Sequence, residues 1–167
     1  RDVIVLEDGK IMAAGSDLLV RLLPDGSLDT TFGSNGKVHG TYQGKSIAFG
    51  RIALSESGRI FVSGSYKNSN GNQVAVLLAY KQDGSLDETF GTQGVSTITS
   101  SILNANENAD PHDVSILSDG SLLVLLWGHN GTNQDMMVAK LDANGSMDDS
   151  YGGDGVVSLF VDREANV

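Results

Sequence analysis

One phrase is written three times along the chain. It reads "PDGSLDTTFGSNGKV" from Pro24, "QDGSLDETFGTQGV" from Gln82 and "ANGSMDDSYGGDGVV" from Ala143. Its turn glycines Gly26, Gly84 and Gly145 lie 58 and 61 residues apart. A second marker keeps the same beat: "LEDGKIMAAGS", "LSESGRIFVSGS" and "LSDGSLLVLLWG" carry equivalent glycines at Gly9, Gly58 and Gly120. A chain with this period builds one supersecondary unit per copy. Such units stack, because none can bury its apolar face alone.

Each copy reads as four short strands. In the third copy they are expected at Asp113 to Leu117, Ser121 to Trp127, Met136 to Leu141 and Gly155 to Phe160. Asp119-Gly120 suits the tight turn of an antiparallel hairpin. No stretch keeps a capped 3.6-residue period, so almost no helix is expected. The middle strands "VAVLLAY" (Val74 to Tyr80), "LLVLLW" (Leu122 to Trp127) and "MMVAKL" (Met136 to Leu141) are nearly continuous apolar runs. They predict burial on both faces. A small antiparallel sheet covered on both sides by its own copies is a β-propeller blade. The copies span residues 1–46, 47–108 and 109–167. The first is shortened, with its loop between strands two and three clipped to about "GSD" at Gly15 to Asp17.

The phrase itself is expected to be a structural corner between the third and fourth strands. Ser27 and Asp29 would offer oxygens to nearby backbone N–H groups, Leu28 and Phe32 would anchor the segment, and Gly33 and Gly36 would let it bend. The swaps of Leu to Met at Met147 and of Phe to Tyr at Tyr151 keep volume and apolarity, as packing anchors require. Recurrence in every copy favours scaffold over catalysis, since an active site is needed once.

"DGKIMAAGS" followed by "LVRLLPDGSLDTTFGSNGKV" resembles the delta-60 repeat, and "LLAYKQDGSLDETFGTQGV" and "VAKLDANGSMDDSYGGDGVV" follow the same pattern. The resemblance implies a propeller-type fold within large secreted or cell-surface bacterial proteins. It carries no catalytic residues to transfer. Three blades do not complete a ring, which takes about four to eight. A bare apolar face of about 400 Å² at each end is worth roughly 10 kcal/mol. The expected relief is pairing with another copy or with the rest of a parent protein through the blade faces. The alternative is a β-trefoil made by one chain.

Composition narrows the function. Formal net charge is -10, which repels phosphate backbones and anionic membrane surfaces, so nucleic-acid binding is not expected; no apolar run approaches the length of a membrane span, so membrane insertion is not expected either. There are no cysteines, which removes thiolate catalysis, thiolate metal sites and disulfides. The chain opens without Met inside a strand-like run, and we read it as an excised or processed piece whose targeting signal, if any, lies elsewhere.

His39, His112 and His129 show no metal-ligand spacing and read as ordinary surface or strand residues. The aspartates of "DGSLD" invite calcium, but no complete calcium-loop motif is present, and no cofactor is expected. No G-x-S-x-G nucleophile and no isolated carboxylate pair stand out. The best candidates are the long loops "SYKNSNGNQ" (Ser65 to Gln73) and "WGHNGTNQD" (Trp127 to Asp135). Tyr66, Asn68, Asn70, Trp127, His129, Asn130, Asn133 and Gln134 combine rings with amides, as sugar- and peptide-binding surfaces do. The reading is a non-catalytic propeller module for protein or carbohydrate binding, or a structural spacer. The alternative is part of a propeller enzyme, such as one acting on polysaccharide, whose active site needs further blades.

Overall fold

The structure is a computed structural model that describes residues 1–99, 108–129 and 134–159, with the main chain alone at His129 and Gln134. Strands β1 (Asp2–Val5), β2 (Ile11–Gly15), β3 (Leu18–Leu22) and β4 (Lys37–His39) form the first sheet. A small hairpin, β5 (Thr41–Tyr42) and β6 (Lys45–Ser46), follows; the repeat pattern does not foretell it. The second sheet holds β7 (Ala48–Leu54), β8 (Ile60–Lys67), β9 (Gln73–Tyr80) and β10 (Val95–Thr97). The third holds β11 (Asn108–Ile116), β12 (Leu122–His129), β13 (Gln134–Leu141) and β14 (Val156–Leu159). Phe160, the expected end of the last strand, lies outside the described residues. All three sheets are antiparallel with their strands in chain order. Among the described residues there is no helix. The sheets are separate, stacked and not closed, which is a propeller arrangement and not a trefoil barrel.

Strand β9 shows why the stack holds. Its side chains alternate between the two faces of the sheet, and both faces are covered. Val76, Leu78 and Tyr80 pack with Met12, Leu19 and Phe32 of the first sheet. Ala75, Leu77 and Ala79 pack with Leu122, Val124 and Leu126 of the third. The expected two-sided burial therefore holds from Ala75 to Tyr80. It does not hold for the third sheet, where Leu123, Leu125, Met136 and Val138 stay partly exposed. They point to the side on which, among the described residues, no further sheet lies. Ile11, Ala13 and Val20 of the first sheet are partly exposed on the opposite end for the same reason.

The first strands of successive sheets meet, with β7 against both β1 and β11. Arg51 stitches them from a β-bulge between Phe49 and Ile52. Its guanidinium donates to the His112 carbonyl (3.2 Å) and the Arg1 carbonyl (3.2 Å), and lies 3.4 Å from an Asp2 carboxylate oxygen.

The recurrent phrase is a corner whose bonds repeat copy by copy. Asp29 N–H donates to the Arg21 carbonyl at 2.9 Å, and Asp87 N–H to the Ala79 carbonyl at 2.8 Å. Asp148 N–H donates to the Lys140 carbonyl at 2.9 Å. One detail differs from expectation. Asp25, not Ser27, is the acceptor of its turn: its Oδ1 takes the Ser27 N–H (2.9 Å) and hydroxyl (2.6 Å). A carboxylate outcompetes a hydroxyl there because it is charged and carries more acceptor sites. Leu28 also departs from its assigned role, being exposed beside Gly36.

The corner does more than turn the chain, for it joins one sheet to the next. Gly33 N–H donates to the Asp83 carbonyl and Gly91 N–H to the Asn144 carbonyl, both at 2.7 Å. The aromatic ring of each corner lies under the turn glycine of the following sheet. A Cβ on Gly84 would stand 2.9 Å from Phe32, and one on Gly145 would stand 2.8 Å from Phe90.

A cation locks each corner, and it comes from two different positions in the repeat. Arg21 Nε on β3 bonds Asp29 Oδ2 at 2.8 Å, and Lys140 Nζ on β13, the same position one sheet later but one, meets Asp148 Oδ2 at 2.9 Å. The second sheet has Ala79 at that position. Its cation is Arg59, just before β8, with Nε 2.7 Å from Asp87 Oδ2. Both arginines also reach across the joint, Arg21 to the Gln82 carbonyl and Arg59 to the Ala143 carbonyl. Bonds from Thr31 and then from Arg21 hold the Asp29 carboxyl down at about 2. Thr89 and Arg59 lower Asp87, and Lys140 and Ser150 lower Asp148. A depressed carboxyl favours the folded state above its ordinary value of 3.8, and for Asp29 that contribution disappears as pH falls through about 2.

The two cation positions are thus interchangeable in space. Arg59→Ser is expected to lower stability by about 1–2 kcal/mol, because Asp87 is only partly shielded from water. Adding Ala79→Arg, the arrangement of the first sheet, where Arg21 is likewise buried against the next sheet, is expected to restore at least half of the lost melting temperature. A double variant that melts lower than Arg59→Ser alone would contradict this equivalence.

Candidate functional site

The ends of β8, β9, β11 and β12 build a cleft between the second and third sheets. It encloses about 570 Å³ and is lined by Lys67, Gln73, Asn108, Asp110, His112 and Trp127, with Gly71 and Gly128. Trp127 is 38% exposed. Its strand position is occupied by Ser16 and Ser65 in the other two copies, so the ring is not part of the repeated scaffold. His112 meets it edge-on, with ring centroids 6.2 Å apart at 81°.

Polar groups are held in place around the ring. Gln73 N–H donates to Asn108 Oδ1 at 2.7 Å. Gln73 Nε2 donates to Ser65 Oγ (3.1 Å) and Asp110 Oδ1 (3.3 Å), and Ser65 Oγ donates to the same Asp110 oxygen at 3.2 Å. The other Asp110 oxygen lies 3.9 Å from His112 Nε2. Among the described residues lining the cleft, Asp110 is the one carboxylate.

Tyr66 lies in a neighbouring cleft of about 190 Å³, with Ser16, Asp17, Ser46 and Ala48. Its ring leans on Tyr42 at 5.9 Å and has Lys45 Nζ 4.9 Å from its centre. Lys67 and Gln73 line both clefts, so the two form a row along the loop end of the stack. Asn68 stabilises its own loop: its Oδ1 accepts the N–H groups of Asn70 (2.9 Å) and Asn72 (3.0 Å). Asn70 sits exposed at the tip. Asn130 and Asn133 lie outside the described residues, as do the side chains of His129 and Gln134. Asn108 and Asp110 were not picked out from the sequence, and His112 was read there as an ordinary surface or strand residue; all three are remote from Trp127 along the chain and join it only through the pairing of β11 with β12.

A further cleft, of about 750 Å³, is at the corner end between the first and second sheets. Its cations are already engaged, Arg21 with Asp29 and Lys10 with Asp8 at 2.9 Å, so it reads as part of the joint. Among the described residues, no group of three or more His, Asp or Glu side chains is placed to hold a metal ion.

Comparison with protein families matches the chain to the model described as a domain of unknown function (DUF5122) beta-propeller. It covers residues 6–32, 56–90 and 117–151, together more than half of the chain. Each matched segment ends at or beside a corner aromatic, at Phe32, Phe90 and Tyr151. Comparison with curated proteins and with solved structures finds no match.

Proposed function

As the chain belongs to the DUF5122 beta-propeller family, we propose that it is a non-catalytic binding module of a larger secreted or cell-surface bacterial protein, and that its ligand is a carbohydrate. The observation that carries this reading is Trp127. It is a large ring at the mouth of a cleft, at a position where the repeat otherwise has serine. A pyranose face packs on such a ring while Gln73, Asn108 and Asp110 supply donors and acceptors for its hydroxyls. The row of two clefts suits an extended chain better than a single sugar. The net charge of -10 favours neutral polymers over polyanionic ones.

Trp127 is the single tryptophan of the chain, so its fluorescence reads the cleft without a label. Titration with cello- and chito-oligosaccharides is expected to shift its emission, while heparin leaves it unchanged. Trp127→Ala is expected to weaken binding, measured by calorimetry, at least about tenfold, or ~1.4 kcal/mol. Unchanged emission with every neutral oligosaccharide would defeat the carbohydrate reading and leave the spacer role.

A further inference from the structure

We infer that the outer face of the third sheet is a docking surface for the first sheet of a second copy of this chain. The molecule carries both halves of one joint, and uses that joint twice within itself. In each internal joint an aromatic lies under a turn glycine, a glycine N–H reaches a turn carbonyl, and an arginine reaches the carbonyl one residue earlier.

At the ends of the stack each half stands open. The aromatics Phe32 and Phe90 are fully buried, whereas Tyr151 is partly exposed. Gly84 and Gly145 are buried, whereas Gly26 is exposed with nothing within 4 Å of where a Cβ would be. Among the described residues, the Gly152 N–H and the Asp25 carbonyl have no hydrogen-bond partner; their counterparts are bonded in both internal joints. Lys140, beside Asp148, stands where Arg21 stands and has N–H groups to spare for the Pro24 carbonyl of a neighbour.

The sheet faces match in the same sense. The exposed face of the first sheet, including Ile11, Val20 and Leu22, corresponds by register to Ile60, Leu78 and Tyr80, which the second sheet presses against the first. The exposed face of the third, including Leu123 and Val138, corresponds to Phe61 and Leu77, which the second sheet presses against the third. Contact between the two ends is therefore head-to-tail, a heterologous interface. Its occupant is a second copy because the chain itself carries the matching half.

Light scattering of the 167-residue chain at high micromolar concentration tests this. Single-chain mass is 17.5 kDa, and the expected result is particles of two or more chains. Gly26→Asn is expected to weaken association at least tenfold, since the added side chain would enter the space of the neighbour's Tyr151 ring. Asparagine tolerates the positive φ of +85°, and the site is open in the single chain, so the fold stays intact. Gly44→Asn, at another open positive-φ glycine in the β5–β6 turn, is the control and leaves association unchanged. A wild-type mass of one chain overturns the inference, and so does association that persists in Gly26→Asn or is lost equally in Gly44→Asn.

Discussion

Phe90→Ala is expected to lower the unfolding free energy by about 3–5 kcal/mol, the usual cost of emptying a fully buried phenylalanine site. The ring has no exposed surface and contacts Phe61 edge-on at 5.5 Å. The Arg59 guanidinium carbon lies 5.4 Å from its centre, and the Gly145 turn of the next sheet closes over it. Neither side can collapse into the void, because the turn is held by Gly91 N–H and the guanidinium by Asp87. For a chain of this length the loss corresponds to a fall in melting temperature of roughly 6–20 °C. Tyr151→Ala removes the equivalent ring where no turn of the same chain covers it, and in the dilute, unassociated protein is expected to cost about 1 kcal/mol. Equal losses for the two variants, read from urea unfolding, would mean that the ring anchors its own sheet only and does not join sheets.

Gly91→Ala should be nearly as severe, about 3 kcal/mol or more. Backbone conformation is a minor part of this, since a φ of +54° costs alanine about 1–2 kcal/mol. The larger part is contact. A Cβ there would lie 2.4 Å from the Val95 carbonyl oxygen and 2.8 Å from its carbon. These are main-chain atoms of the strand that the corner leads into, and they cannot rotate away. Gly33 and Gly152 meet the Lys37 and Val156 carbonyls in the same way, at 2.4 and 2.3 Å. Gly71→Ala separates the two effects, because Gly71 also has positive φ but open space around it. Its thermal unfolding should shift by only the conformational part. A Gly91→Ala protein as stable as Gly71→Ala would show that the corner can open without loss.

The comparison of Gly91 with Gly33 and Gly152 also explains what could be read from the sequence. A residue that is required by its own main chain recurs at a fixed offset, so the corner, the four strands per copy and the stacking of copies were all visible in the repeat. What escaped is what depends on neighbours in space. The locking cation can stand at either of two positions, one occupied by Arg21, Ala79 and Lys140 and the other by Lys10, Arg59 and Ser121; neither position repeats, although every corner has its cation. The joining role of the corner escaped for the same reason, since Gly84 meets Phe32 across 52 positions of chain. Two-sided burial was assigned to Met136 to Leu141 from its apolar run, but composition does not tell a sheet flanked on both sides from one at the end of a stack. Trp127 was visible as a ring among amides. Its partners Asp110 and His112 were not, because a strand pairing brings them to it.

Hydrogen exchange followed strand by strand bears on whether the second sheet is sealed between two joints. Amides of β9, from Val74 to Tyr80, should be the slowest in the molecule, while those of β1 and of the β5–β6 hairpin exchange far sooner. Exchange in β9 as fast as in β1 would contradict a stack of sheets joined face to face by their corners.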